Sequence, residues 1–408
     1  MKILVTLAWR NLWRSRRRTM ITIASVFFAV ALAINAQSFQ QGSYELMIDN
    51  MVRFSTGYLQ IQDVLYEEEP SMDNSLLVSD SLLIAIKPFN ERIAFTVPRI
   101  QSFALASTEA ATRGAMVTGI DPETENRFNS LPEQVVEGRY LTASDRAVLV
   151  AEGLAGLLKT RVGDTLVLIG QGYQGSMAAG KYPVKGIVRL RIPELNNNAV
   201  YMPLSAAQNF YAAENRLTSL IVMPADPGDA DRLTQELGAA VDSNWYVVRS
   251  WKYLLQDLLT LMEFDTASNM VIIYILYLVI AFGIFGTILS MMIERTSEFA
   301  MLISLGMKRS RLAMVCLLES LFISFTGAIA GALLALPVVA WYHHHPIPLK
   351  GDLAEMILQY GFEPVLPFSA DPKIFLTQAL IVFVMALIIG LYPVYKIFRM
   401  KTVERSNR

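Results

Sequence analysis

The stretch Ser268-Asn269-Met270-Val271-Ile272-Ile273-Tyr274-Ile275-Leu276-Tyr277-Leu278-Val279-Ile280-Ala281-Phe282-Gly283-Ile284-Phe285-Gly286-Thr287-Ile288-Leu289-Ser290-Met291-Met292-Ile293 carries no charge, and Asp265 and Glu294 close it on either side. Roughly 20 apolar residues in a helix span the hydrocarbon core of a bilayer. Three more stretches meet that length. Residues 20–39 lie within a charge-free span bounded by Arg18 and Glu45, residues 312–341 are interrupted only by Glu319, and residues 374–395 lie between Lys373 and Lys396. A buried helix of a soluble protein seldom stays charge-free this long, so all four read as membrane-spanning helices. The first does not read as a cleaved signal peptide. Its apolar run exceeds the roughly 7–15 residues of a signal core, and no small-x-small cleavage site precedes a polar start.

Composition agrees with that reading. Of 408 residues 53% are hydrophobic and 17% charged, and the mean hydropathy is +0.38; soluble proteins carry roughly a quarter charged residues. The 35 basic and 36 acidic residues nearly cancel to −1, which excludes a basic nucleic-acid binder and an acidic disordered tail. A single cysteine, Cys316, excludes a disulfide scaffold and a cysteine-built metal site.

Basic residues near the spans set orientation. Arg10, Arg14, Arg16, Arg17 and Arg18 precede the first span; Arg295, Lys308, Arg309 and Arg311 separate the second from the third; Lys396, Arg399, Lys401, Arg405 and Arg408 follow the fourth. Four crossings put all three clusters on one side, the cytoplasm. Residues 40–267 and 342–373 then lie outside. The larger of these is a folded α+β domain. Strand patterns recur at 58–62, 115–120, 147–150, 165–169, 182–188, 199–202, 219–223 and 245–248, with helical patterns at 80–90, 204–213 and 229–241. Residues 43–54 and 250–265 read as helical stalks that continue the first and second spans outward. The fold class is therefore a four-helix membrane protein with an inserted extracytoplasmic α+β domain.

The first eighteen residues carry Leu4, Leu7, Ala8, Leu12 and, one helical turn apart, Trp9 and Trp13 among arginines. Trp at headgroup level with Arg14 and its neighbours reaching phosphates makes an interfacial helix on the inner leaflet. Between the second and third spans runs Glu294-Arg295-Thr296-Ser297-Glu298-Phe299-Ala300-Met301-Leu302-Ile303-Ser304-Leu305-Gly306-Met307-Lys308-Arg309. Phe299, Leu302, Ile303 and Leu305 form an apolar stripe at helical spacing, and Gly306 before bases is a helix stop. Either membrane lipid or a groove on a cytoplasmic protein must cover the stripe.

The run Glu294-Arg295-x-x-Glu298-Phe299-Ala300-x-Leu302-x-Ser304-Leu305-Gly306 resembles the motif after the second membrane helix of the FtsX-like permease superfamily. That superfamily includes MacB exporters, lipoprotein-releasing (Lol-type) permeases and FtsX cell-division proteins. The opening Ala8-Trp9-Arg10-Asn11-Leu12-x-Arg14-x-Arg16-Arg17-Arg18-Thr19 is similar to its start, and the order of one helix, a large external domain and three helices covers the whole chain. The resemblance implies a permease subunit of an ATP-binding-cassette (ABC) transporter in a bacterial inner membrane. It implies a dimer with a second copy or a paralogue, and docking on a cytoplasmic ABC ATPase dimer that binds the ATP and Mg; no cofactor falls to this chain. Glu294, Arg295, Glu298, Phe299, Leu302, Leu305 and Gly306 would carry the coupling. ATP-driven closure would move the periplasmic domain through the stalks, an action called mechanotransmission. The implied layout is an interfacial helix at 1–18, spans at 19–39, 268–293, 311–341 and 374–395, a periplasmic domain with stalks at 40–267, a coupling helix at 294–310, a periplasmic loop at 342–373 and a cytoplasmic tail at 396–408.

Gly175-Ser176-Met177-Ala178-Ala179-Gly180-Lys181 imitates a phosphate-binding loop, but Tyr182 stands where the magnesium-ligating Ser or Thr belongs, and no helix follows. With no credible ATPase motif, the chain reads as a non-catalytic subunit. The surrounding stretch 170–181 reads as a long, flexible strand connection. In Lol-type permeases a hook that contacts a periplasmic lipoprotein carrier holds a corresponding position, so Gly172, Tyr173 and Met177 are candidates for touching such a carrier; an ordinary glycine-rich hairpin is the alternative. Glu319, about two turns into the third span, reads as a carboxylate capping or bonding neighbouring helices, reached by Arg311 or an N-terminal arginine, with a proton or substrate relay as the alternative that a lone acid disfavours. Gly327 and Gly331, and likewise Gly283 and Gly286, would let another helix approach closely, or would face lipid in a dimer cavity. The contiguous His343, His344 and His345 lack metal-ligand spacing. Extraction of lipoproteins or lipid leads; the alternatives are FtsX-like regulation of a cell-wall hydrolase and MacB-like efflux.

Overall fold

The computed structural model describes residues 2–14, 16–352, 354 and 364–399; Lys401, Arg405 and Arg408 of the tail, and residues 353 and 355–363 of the outer loop, lie outside them. The chain forms two compact units. The first comprises Met1–Glu45, Leu261–Pro348 and Val365–Arg408, the second Leu46–Thr260 and Leu349–Pro364.

The first unit is helical. An N-terminal helix, Lys2–Arg14, precedes the first spanning helix, Arg16–Met51, which a π-helical turn over Val52–Thr56 prolongs. The second spanning helix is Gln256–Glu294, the third Arg309–His344 and the fourth Pro372–Arg399; a short connecting helix, Thr296–Ser304, joins second to third. Among the described residues these four are the helices long and apolar enough to cross a membrane. At 36, 39, 36 and 28 residues they outrun the hydrocarbon core, which takes roughly 20.

Close packing and buried polar pairs hold this bundle, since lipid-facing apolar surface supplies little drive for helix association. A Cβ built on Gly327 would lie 2.7 Å from Val26 Cβ and 2.9 Å from Ile23 O, and one on Gly331 would lie 2.6 Å from Phe27 O. The first and third helices therefore meet backbone to backbone along these two glycines. Tyr277 donates to Gln378 Oε1 at 2.5 Å, and Gln378 Nε2 donates to Gln37 Oε1 at 2.6 Å, which ties the second, fourth and first helices together. Ile272, Leu278, Phe282, Leu333 and Leu380 stand exposed on the outer faces.

The second unit is α+β. Its strands are β1 (Leu59–Asp63), β2 (Leu76–Leu77), β3 (Ile93–Ser107), β4 (Thr112–Ile120), β5 (Val135–Gly138), β6 (Val148–Ala151), β7 (Thr165–Gln171), β8 (Met177–Val188), β9 (Ala199–Pro203), β10 (Arg216–Leu217), β11 (Ser219–Pro224) and β12 (Tyr246–Ser250). A further pair, β13 (Ile347–Pro348) with β14 (Val365–Leu366), belongs to the first unit. Ten strands form one sheet in the order β12-β1-β11-β3-β4-β9-β6-β8-β5, with β7 bridging β3 and β8. The β4–β9 and β6–β8 pairs are parallel and the rest antiparallel. Every residue of β6 and β9 is buried, as their unbroken apolar runs require of strands covered on both faces. The two larger cores of this unit gather around Ile100, Val117, Leu149 and Val200 and around Leu59, Leu82, Val222 and Leu233, and a small third one joins Val97, Phe128 and Ile221.

The longest strand, β3, has no counterpart among the sequence patterns, because Pro98, Arg99, Gln101 and Ser102 break its apolar alternation. The expected helix over 80–90 is an α-helix only at Asp80–Ile86, where the Ser79 hydroxyl accepts from the Leu82 amide at 3.2 Å; Pro88 turns the rest into a 3₁₀ turn, Lys87–Phe89.

Candidate functional site

The connecting helix sits at the arginine-rich end of the bundle. Arg295 leaves helical geometry (φ −100°, ψ 8°) and so parts this helix from the second span. At the other end Gly306 takes φ +93°, Gly306 N–H donates to Ile303 O and Met307 N–H donates to Leu302 O, both at 3.0 Å. This is a Schellman stop, and the positive φ is what asks for glycine there.

The stripe read from the sequence divides between two faces. Phe299 is 2% exposed and packs with Met292, Leu312, Ala313, Cys316 and Ile397, that is, against the second, third and fourth spans of its own chain; Ile303 and Met307 flank it. The expectation that Phe299 enters a partner's groove is thereby corrected: its own bundle already fills that role. The outward face is a different set. Met301 is 58%, Leu302 38% and Leu305 78% exposed. Met301 and Leu305 are one turn apart with Leu302 beside them, so they form one small apolar knob.

Polar contacts fix this helix to its neighbours. Glu319, 1% exposed, accepts from Asn11 Nδ2 at 2.7 Å and from Arg295 Nη1 at 3.2 and 3.3 Å. The basic partner is thus Arg295, whereas Arg311 or an N-terminal arginine was expected; Arg295 also lies over the Phe299 ring at 5.4 Å. Glu298 pairs with Arg14 at 2.7 Å and with Arg295 at 3.4 Å, and Glu294 ends the second span on the exposed side. Farther along, Arg309 Nη1 donates to Phe398 O at 2.9 Å.

On the N-terminal helix Ala8 and Leu12 are buried while Trp9 and Trp13 stand about half exposed, their rings 6.0 Å apart and edge to face; Trp9 also meets Phe322 at 5.9 Å. Gly283 and Gly286 differ from Gly327 and Gly331. Both are exposed, and among the described residues a Cβ on either would meet no atom within 4 Å.

In the second unit the stretch 170–181 is mostly hairpin. Strand β7 runs to Gln171 and β8 starts at Met177, pairing down to Gln171↔Met177, which corrects the expected long, flexible connection. Its turn is held. Gly172 N–H donates to Ser176 O and Tyr173 N–H to Tyr211 O, both at 2.8 Å, and Arg216 lies over the Tyr173 ring at 4.2 Å. Only Met177, 84% exposed, projects from the three candidates there. The phosphate-loop imitation lies across this turn and strand β8.

Asn11 and Met301 were not singled out from the sequence. Asn11 had a signal, since it shares the buried face of its helix with Ala8 and Leu12 at helical spacing. Among the described residues no group of three or more His, Cys, Asp or Glu is placed to hold a metal ion; His343 Nδ1 lies 2.7 Å from Phe368 O.

Comparison with known proteins then bears on the whole chain. The MacB-like periplasmic core domain family matches residues 19–240, and the FtsX-like permease C-terminal family matches residues 270–402. The lipoprotein-releasing system transmembrane protein LolC of Neisseria meningitidis serogroup B is 24% identical over 250 residues, 59% of this chain and 59% of that protein. The macrolide export ATP-binding/permease protein MacB 1/2 of Paracoccus denitrificans is 21% identical over 335 residues, 78% of this chain and 48% of that protein. The chain spans 59% and 48% of the lengths of these two relatives. The crystal structure of the periplasmic region of MacB from Actinobacillus actinomycetemcomitans shares 17% identity, covers 52% of this chain and 96% of its own, and superposes with a TM-score of 0.36.

Proposed function

The chain belongs to the FtsX/MacB-type family of ABC-transporter permeases, and from that premise we propose that it is the membrane subunit of a transporter that extracts lipoproteins or lipid from a bacterial inner membrane. A separate cytoplasmic ABC ATPase dimer binds ATP and Mg and grips two copies of the permease, or one copy and a paralogue. The observation that carries the reading is the apolar knob Met301, Leu302 and Leu305, left uncovered beside a Schellman turn. Fully burying one such side chain is worth about 1.5–3 kcal/mol. A helix end presented to a partner's groove uses it; a free helix wastes it.

The stroke would run along two helices. The first and second spans each contribute residues to both units, Arg16–Met51 on either side of Glu45 and Gln256–Glu294 on either side of Leu261. Displacement at the connecting helix would thus reach the extracytoplasmic domain without chemistry in this chain, which is mechanotransmission. Met177, exposed where β8 begins, would be the residue that meets a periplasmic lipoprotein carrier. Trp9, Trp13 and the nearby arginines would hold the N-terminal helix at the inner leaflet. Gly283 and Gly286 would serve the second copy or lipid.

Efflux of a small amphiphile is the second reading, favoured by the macrolide-export relative's match over 78% of the chain. Purification of the full chain with its co-expressed ATPase, followed by mass spectrometry of bound material, tests the choice. Acylated protein or phospholipid at roughly one per complex supports extraction. Their absence, together with ATP turnover stimulated by a macrolide, refutes it.

A further inference from the structure

Five polar side chains at the arginine-rich end close a ring that ties the N-terminal helix to the connecting helix, a link the apolar knob does not explain. Asn11 and Arg14 sit one turn apart on the N-terminal helix. Arg295 and Glu298 sit at the junction and first turn of the connecting helix, and Glu319 lies in the third span. Asn11 donates to Glu319 at 2.7 Å, Arg295 reaches Glu319 at 3.2 Å and Glu298 at 3.4 Å, and Arg14 forks onto both Glu298 oxygens at 2.7 and 3.2 Å. The path leaves the N-terminal helix at Asn11 and returns to it at Arg14. With two acids and two bases the ring is neutral.

The contacts are uneven. Exposure of the side chains rises from 1% at Glu319 through 17% at Arg295 and 30% at Glu298 to 68% at Arg14. Arg295 divides itself between two carboxylates and closes tightly on neither. Beyond the ring, Thr19 Oγ1 donates to Leu12 O at 3.0 Å, which ties the N-terminal helix to the head of the first span.

We propose that this ring is a clamp that makes the N-terminal helix a moving part of the transmission. The connecting helix, when displaced, carries Arg14 and Asn11 with it, and through Thr19 the head of the first span; Arg295 is the joint. Asn11, Arg14, Arg295 and Glu319 are positioning residues, since each acts through the connecting helix. The proposal rests on the motor-docking reading above for its functional consequence, and on geometry alone for the ring itself.

The test uses the full permease with its co-expressed ATPase in lipid nanodiscs. Arg14→Glu is expected to keep the ATPase bound while permease-stimulated ATP turnover falls roughly 10-fold, a coupling loss of ordinary size. Adding Glu298→Arg restores the pair in reverse and is expected to recover turnover to within about threefold, as coupled neighbours do in a double-mutant cycle. Wild-type turnover in Arg14→Glu, release of the ATPase by it, or no rescue by the swap would overturn the clamp. Should the unaltered chain bind no ATPase, the transport reading fails and the ring is judged separately. Asn11→Ala and Glu319→Ala, each of which removes the bond between them, are then expected to lower the thermal midpoint singly, with the double variant little worse than the poorer single. Fully additive shifts would overturn the ring.

Discussion

Glu125 in the second unit and Glu319 in the first are both sealed from solvent and both face an arginine, yet they are held in opposite ways. Arg99 forks onto Glu125 at 2.5 and 3.1 Å, gives its remaining nitrogen to Ser55 O at 2.7 Å and lies over the Phe128 ring, while Asn129 donates to Glu125 at 2.6 Å. Burial alone would lower the Arg99 pKa, but the charge and hydrogen bonds of Glu125 outweigh it and hold the guanidinium above its ordinary value. Burial pushes the neighbouring Tyr201 hydroxyl up to about 12, so it stays protonated at any physiological pH. Glu319, by contrast, takes its arginine at 3.2–3.3 Å and shares it with Glu298. The first arrangement is a strut with every polar group spoken for. The second is a looser joint, and it lies where the N-terminal helix, the connecting helix and the third span meet.

That contrast can be broken by substitution. Arg99→Met should cost the second unit about 3–5 kcal/mol, because it strands Glu125 in the interior; thermal unfolding of the full chain reads this as loss of the second unit's transition. A loss under about 1 kcal/mol would remove the strut from the account. The glycines come next. Gly331→Val should cost about 1–3 kcal/mol by forcing the first and third spans apart, since even a Cβ would lie 2.6 Å from Phe27 O. Gly286→Val, with nothing within 4 Å, should stay within about 0.5 kcal/mol in the detergent-solubilised monomer.

Glu319→Gln keeps shape and a hydrogen-bond partner for Asn11 while Arg295 retains Glu298, so about 1.5 kcal/mol is expected, well below the strut. Equal costs at Arg99 and Glu319 would erase the distinction between strut and joint. The smallest effect belongs to the surface. Arg189 hydrogen-bonds Glu152 at 2.6 and 2.7 Å and holds that carboxyl below the usual range, but both side chains are well exposed. The depressed folded-state value means the pair stabilises above the unfolded carboxylate pKa of about 4.3 and fades as pH falls through the lowered value. Arg189→Ala should therefore remove less than about 1 kcal/mol at neutral pH and flatten the acid side of the stability curve slightly.

Much of the first unit was legible in the sequence because lipid imposes length and apolarity on every span, and residues 268–293 could hardly be read otherwise. The second unit was harder. Its short buried strands announce themselves, as Val148–Ala151 does, but β3 hides behind Pro98 and Arg99, whose guanidinium pairs with Glu125 inside the unit. At the candidate site the period of the helix was readable and its environment was not. Phe299 and Leu305 look alike in sequence, and only the packing of Leu312 from the next helix and Ile397 from the fourth span decides which one is covered. Gly42 passed unnoticed for the same reason: its neighbours, Pro367 O and Ser369 N, come from more than 300 residues away.

In the proposed docking a motor holds the outward knob, while Phe299 serves the permease's own core. Leu305→Asp in the full permease, co-expressed with its ATPase and purified in mild detergent, tests it most directly. The expected result is an unchanged thermal midpoint and loss of the co-purifying ATPase. Retention of the ATPase at the unaltered level, with the variant fully folded, would contradict it.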